Sequence, residues 1–491
     1  MSCNNNKGSL QQKLESMAES KYKPHAIMIS VPYQGHINPF ASLALKLASS
    51  GFSVTFVHYE FLHQKLPKLD LFSEARESGL DIRYTTIKDG FPSEFDRGLH
   101  LEEHWESISL DRSGTIDEFV GKTIQSDPDS VHFLIADTIT AWPAIIANKY
   151  NLINVSFWTQ PALVFSMNYH LDLLREKGHF PWKGNTAEEI DYIPGVESLS
   201  TRDLIHYLTK TESESVITRI SSLAFERVKK ADFILHNTVQ ELESGTISVL
   251  SKYQPNYAIG PVNFSKNLPK SIANKSFLSE SDCTSWLESK PTGSVLYVSF
   301  GTLVQINKQV IEELAYGLLL SEVNFIWVVR PGIVGFGDGN ILPIGFEDKI
   351  KDKGLIIQWC DQVKVLSNPA VGGFLTHNGW NSTVESMWFG VPMISYPIDY
   401  EQPTNRKLVV DDWKIGINFC DYGTSVDRKQ VVEKIKHLMN GNSSTSLRQE
   451  ADKVKGILQK AVEIDGSSER NFAQFIEDLR AKIHETALNT N

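Results

Sequence analysis

Short runs of residues that are apolar on both faces recur along this chain, each followed by a helical stretch, and the series occurs twice. HAIMISVP (25–32), FSVTFVH (52–58), HFLIAD (132–137), INVSFW (153–158) and ADFILHN (231–237) make the first series, with PFASLALKLASS (39–50) reading as a helix closed by Gly51. A strand without a polar face must be covered on both sides, which calls for a parallel sheet with helices above and below it. GSVLYVSF (293–300), NFIWVVR (324–330), LIIQW (355–359), VGGFLTH (371–377) and PMISYP (392–397) make the second series. Residues 263–282, polar and rich in Ser, Asn and Lys, separate the two and read as a linker. The expectation is an α/β chain of two doubly wound, Rossmann-like domains whose parallel sheets face each other across a cleft. Its parts are a disordered extension (1–24), a first domain (25–262), the linker, a second domain (283–465), and a C-terminal helix (466–491) packing back on the first domain.

A length of 491 residues, 41% of them hydrophobic, supplies two cores of ordinary size. The net charge of −11 and the lack of a basic run exclude nucleic acid as a natural partner, since neutralising phosphates takes clustered Lys and Arg. The four cysteines, Cys3, Cys283, Cys360 and Cys420, form no CxxC pair, which fits a reducing compartment and argues against a structural zinc. No apolar stretch approaches the roughly 20 residues of a membrane helix, and the N-terminus lacks a signal-peptide core. A cytoplasmic monomer is expected.

Parallel sheets bind ligands at the carboxyl ends of their strands. The turn after the first strand reads VPYQGHINPF, with one glycine, so the GxGxxG of a dinucleotide site is missing. That turn does place His36 in a loop at the cleft, where an imidazole of ordinary pKa, about 6.5, suits a general base. Asp137 closes another strand of the same sheet. His377 closes a strand of the second series, and HNGWNS then runs into a helix starting near Asn381 or Ser382, whose free N–H groups make an anion site. Other readings stay open. Trp359, at a strand end, serves either as a core residue or as a stacking platform for a base. Ser382 and Glu385 also spell an S-x-x-E capping box. Cys360 reads as small and half-buried. No HExxH, nucleophile elbow or P-loop occurs, and the remaining histidines show no metal-ligand spacing.

The 359–402 segment, WCDQVKVLSNPAVGGFLTHNGWNSTVESMWFGVPMISYPIDYEQ, resembles the donor-binding signature of the plant family 1 UDP-glycosyltransferases. QGHINP (34–39), NTVQELES (237–244), IGPV (259–262) and WLESKPTGSVLYVSFGT (286–302) extend the resemblance over nearly the whole chain. It implies a GT-B fold and an inverting, metal-independent transfer of a hexose from a UDP-sugar, with glucose expected, to a hydroxyl of a small lipophilic acceptor. UDP-glucose would be a co-substrate, and no cofactor is implied. By the same resemblance His36 is the base and Asp137 its orienting partner. Trp359, Cys360 and Gln362 meet the uracil, and Glu385 the ribose. Thr302, His377, Asn381 and Ser382 meet the diphosphate, and Thr159, Trp380, Glu401 and Gln402 the sugar. Asn378 stands where Cys is commoner, and Glu401 where Asp is frequent. Tyr33, Phe91, Trp142, Tyr400 and the FWTQPALVF run (157–165) are candidates for the acceptor pocket. A UDP-sugar epimerase on the same fold and a silent metabolite binder are the alternatives.

Overall fold

A computed structural model describes residues 23–65, 71–184, 186–265, 281–335, 341–420, 425–440 and 442–489. The extension expected over 1–24 and the linker over 263–282 therefore lie mostly outside the described residues. Lys23 and Pro24, assigned to that extension, instead open the first strand.

The first sheet is built from β1 (Lys23–Ile29), β2 (Ser53–Tyr59), β3 (Ile82–Ile87), β4 (Ser130–Asp137), β5 (Ile153–Trp158), β6 (Phe233–His236) and β7 (Asn256–Ala258). They pair in parallel in the order β3-β2-β1-β4-β5-β6-β7. The second sheet contains β8 (Val295–Ser299), β9 (Asn324–Val328), β10 (Gly354–Ile357), β11 (Val371–Thr376), β12 (Met393–Ser395) and β13 (Gly416–Asn418), parallel in the order β10-β9-β8-β11-β12-β13. Strand order reverses between β1 and β4 in one sheet and between β8 and β11 in the other. Those reversals leave a crevice beyond the strand ends, because the following helices cross to opposite faces.

Four helices place the chemistry: α1 (Gln34–Ser49), α2 (Leu101–Leu110), α3 (Trp380–Phe389) and α4 (Ser467–Asn489). Helix α1 begins five residues before the expected Pro39. Proline is favoured at the first position of a helix, so Pro39 reads as a start signal; here it lies inside the helix. Helix α4 inserts Phe472, Phe475, Leu479 and Ile483 into the core of the first sheet. Lys46 of α1 pairs with Glu469 at 2.5 Å, and Tyr257 Oη donates to Asp478 at 2.6 Å. The two halves also meet where Phe264 stacks on Trp388, with ring centroids 4.5 Å apart. Strand β3, IRYTTI, escapes the sequence pattern because it is an edge strand with one exposed and three half-buried positions between two buried isoleucines. No helix of the described residues is long and apolar enough to cross a membrane.

Candidate active site

A cavity lies between the two sheets, lined from the first by the turn after β1 and from the second by the turns after β8, β10, β11 and β12. On the first wall, His36 occupies the first turn of α1 rather than a loop. Its Nδ1 sits 2.7 Å from Asp137 Oδ2 and 3.1 Å from Thr159 Oγ1. A carboxylate oxygen accepts a hydrogen bond, so Nδ1 carries the proton and Nε2 is the basic nitrogen. Burial acts to lower the His36 pKa, but the charge and hydrogen bond of Asp137, with Glu401 adding to them, carry it above the ordinary value. Asp137 is almost fully enclosed, while His36 keeps an open edge. The β1/β4 reversal thus joins two residues far apart in sequence.

On the second wall, Gly301 takes a left-handed turn (φ 69°) after β8 and is followed by Thr302. The His377 ring rests on two glycines: a Cβ at Gly301 would lie 2.6 Å from its Nε2, and one at Gly379 2.5 Å. Burial, then the nearby Arg330, pushes His377 down to about 4. Arg330 is occupied with the carbonyls of Gly301, at 2.9 Å, and Val304. Helix α3 starts at Trp380, with Gly379 as its N-cap and no side-chain cap. Ser382 is then already inside the first turn, and the capping-box reading of Ser382 and Glu385 falls. Gln362 Nε2 instead donates to Ser382 Oγ at 3.0 Å and to Glu385 Oε2 at 2.6 Å, while Tyr297 Oη donates to Gln362 Oε1 at 3.3 Å. Burial raises the Glu385 carboxyl to about 7, against the hydrogen bond from Gln362.

Trp359 is half-buried on the cavity wall, two residues beyond the buried β10 end at Ile357. Cys360 touches Tyr297 Oη at 3.5 Å, and contact with Cys283 together with burial holds its thiol well above the usual range. That is an inert packing residue. Trp380 spends its indole N–H on the Asn237 carbonyl of the other half, at 2.8 Å. Gln402 is fixed by its oxygen, which accepts from the N–H groups of Ile398 (2.8 Å) and Asp399 (3.0 Å), and its amide NH₂ remains for a ligand. Burial raises the carboxyl of Glu401, beside it.

Of the residues named for an acceptor, Tyr33 and Tyr400 line the cavity; Phe91 and Trp142 do not. Phe91 stacks on Phe95 at 4.1 Å, and Trp142 is buried in the core between α2 and the first sheet, since an aromatic near a cleft packs wherever most area can be removed from water. The wall is made instead by Leu101 and Trp105 of α2, with Ile139, Tyr207 and Ile217. Leu101 and Trp105 share one helix face, the only local signal that could have pointed to them. Their helix is steadied by the buried Asp89, which accepts from Arg97 Nε at 2.6 Å and His104 Nε2 at 3.1 Å.

Residues 261–446 match the family model described as UDP-glucoronosyl and UDP-glucosyl transferase. UDP-glycosyltransferase 86A1 of Arabidopsis thaliana is 49% identical over 480 residues, covering 96% of this chain and 97% of that protein. This chain belongs to the plant family 1 UDP-glycosyltransferases. The 7-deoxyloganetin glucosyltransferase of Catharanthus roseus is 35% identical, covering 95% of this chain and 99% of the relative. Among solved structures, Phytolacca americana UGT2 complexed with UDP-2fluoro-glucose and pterostilbene superposes with a TM-score of 0.75 at 26% identity, over 94% of this chain and all of that one. The family's GT-B fold is the two-sheet architecture described above. The glycosyltransferase uses a UDP-sugar as co-substrate. Among its described residues no group of three or more His, Cys, Asp or Glu is arranged to hold a metal ion.

Proposed function

We propose that this glycosyltransferase moves glucose from UDP-glucose to a hydroxyl of a small lipophilic acceptor, with inversion, and that His36 is the base. The observation that carries the reading is the opposition, across one cavity, of the His36–Asp137 pair and the N-terminus of α3. His36 Nε2 takes the acceptor's proton while its oxygen attacks the anomeric carbon. The bond from that carbon to the diphosphate oxygen breaks, and UDP leaves with the negative charge. A single displacement from the opposite face inverts the centre. Asp137 stabilises the imidazolium that forms, the division of labour of a hydrolase triad. The positive end of α3, neutral His377, Ser382 and Thr302 receive the diphosphate. Trp359 stacks on the uracil, and Glu385 accepts from the ribose hydroxyls.

Glucose is favoured by Gln402, whose free NH₂ offers a donor fixed in place, and by the 7-deoxyloganetin glucosyltransferase among the relatives. The apolar wall of Leu101, Trp105, Ile139 and Ile217 favours a lipophilic acceptor. Mass spectrometry on a panel of alcohols and phenols with UDP-glucose should find a hexose added. His36→Ala should cut turnover on an alcohol by about 10²–10⁴-fold and leave UDP binding in place. Turnover near that of the unchanged enzyme would remove His36 from the mechanism. A new UDP-sugar formed without any acceptor would favour an epimerase instead.

A further inference from the structure

Tyr400 lines the cavity from a left-handed conformation (φ 55°), which is costly for a residue other than glycine and persists only where the surroundings hold it. Part of that hold is local: Asp399 Oδ1 accepts from the Tyr400 N–H at 2.8 Å. The rest comes from the other half of the molecule. His206 opens a single helical turn (His206–Thr209), where its N–H has no partner within the turn, and it donates to Tyr400 O at 2.9 Å. Its Nδ1 meets the Asp399 carboxylate. Asp203, just before, accepts from Thr404 Oγ1 at 2.6 Å through its carbonyl and from Arg406 through its carboxylate. Residues 203–206 of the first half thus fasten residues 399–406 of the second, and Gln402 stands in the middle of the fastened stretch.

We propose that His206 is a positioning residue for sugar selectivity, which from the first domain holds the turn that aims Gln402 at the hexose. This rests on the reading of Gln402 as a contact to the sugar. Asp399 links the two, since the carboxylate that meets His206 belongs to the residue whose N–H fixes the Gln402 oxygen at 3.0 Å. Glucose and galactose differ in configuration at one carbon. Telling them apart takes a donor kept at hydrogen-bonding distance and angle from one hydroxyl, and a turn free to relax would not keep it there. The residues read as meeting UDP are fixed by other partners, Ser382 and Glu385 by Gln362 among them. Loosening the turn should therefore cost sugar discrimination and spare UDP.

The test is the ratio of kcat/KM for UDP-glucose over UDP-galactose on one alcohol acceptor, with UDP binding followed by calorimetry. His206→Pro removes both the backbone N–H and the imidazole. Proline is favoured at the first position of a helical turn, and Ile205 already has the polyproline-like conformation (φ −55°, ψ 132°) that suits the residue before it. The ratio should fall about three- to tenfold, the worth of one net hydrogen bond, with the UDP dissociation constant changed less than about twofold. His206→Ala keeps the N–H and loses only a half-exposed contact, so its fall should be smaller, about twofold. Where His206→Pro fails to fold, the alanine variant decides by the same ratio. In a Gln402→His background, His206→Pro should move the ratio hardly at all, because what it positions is gone. An unmoved ratio in the His206 variants, an equal fall in both backgrounds, or a UDP dissociation constant that rises as far as the ratio falls would overturn the proposal. A ratio unmoved by Gln402→His alone would instead bring down the reading of Gln402, and this inference with it.

Discussion

On the proposed donor side of the cavity, Trp359, Gln362, His377, Asn381, Ser382, Glu385 and Gln402 all come from one stretch of chain, 359–402. The proposed acceptor side gathers Tyr33, Leu101, Trp105, Ile139, Tyr207 and Ile217 from five separate segments, and borrows Tyr400 from the other half. The donor wall is held by strand ends, two glycines under one imidazole, and a helix start, features that constrain backbone as well as side chains. The acceptor wall is held by side-chain packing on α2 and neighbouring loops, where one apolar residue substitutes for another at modest cost. A site built the first way keeps one ligand across a family; a site built the second way can change ligand by exchanging single residues.

That contrast breaks if the walls fail to separate on mutation. The largest expected effect belongs to the base, on the first wall. Asp137→Asn should lower kcat about 10²–10³-fold on an alcohol, with UDP binding unchanged by calorimetry, because the imidazolium loses its compensating charge. Asp137 is the main cause of the raised His36 pKa. The acid limb of kcat/KM should therefore lie above pH 6.5 and move down in the variant. The His36–Asp137 pair contributes its full stability below about pH 6.5 and loses it as pH rises through the higher folded value. An acid limb that stays put in Asp137→Asn would separate the aspartate from the base.

Next comes Glu385, the donor wall's own titrating group. Glu385→Gln should raise the UDP dissociation constant more than tenfold at pH 8, about 1.5–3 kcal/mol, because an amide NH₂ is set against a ribose hydroxyl. In the unchanged enzyme UDP affinity should climb as pH passes through about 7, where the carboxylate forms. The unfolded chain gives up this proton near 4.5 and the folded one near 7, so the group costs stability progressively between those values and a constant amount above them. Without ligand, Glu385→Gln should match the unchanged protein in melting at pH 4 and melt higher at pH 8. Unaltered UDP affinity would return the residue to a purely structural network with Gln362.

Gln402→His should change UDP-glucose over UDP-galactose selectivity by several-fold, with less effect on UDP itself, because only the sugar meets the exchanged side chain. Equal selectivity before and after would detach Gln402 from the hexose. The smallest effect is expected of Leu101→Ala: acceptor KM up about three- to tenfold, or roughly 1 kcal/mol for the lost apolar contact, and the UDP dissociation constant unmoved. A change in UDP binding there would show that the two walls are mechanically one.

Pattern alone was enough for what depends on local periodicity and spacing. The buried parallel strands β1, β2, β4, β5, β6, β8, β9 and β11 follow from runs too apolar to face water, and two series of them require two sheets. The residues of 359–402 proposed for the donor do line one cavity together, because a strand end and a helix start hold them at fixed separations. Legibility failed where distant segments compete for one space. Pro39 reads as a helix start until Asn381, brought in by the facing sheet, supplies the Gly35 carbonyl with a donor and lets α1 begin at Gln34. Ser382 and Glu385 read as a cap until Gln362 arrives from the neighbouring strand end. Phe91, Trp142, Leu101 and Trp105 are equally apolar in sequence. Which of them line a cavity and which fill a core depends on how much area each can bury against elements that are neighbours only in the folded molecule, and no local spacing encodes that.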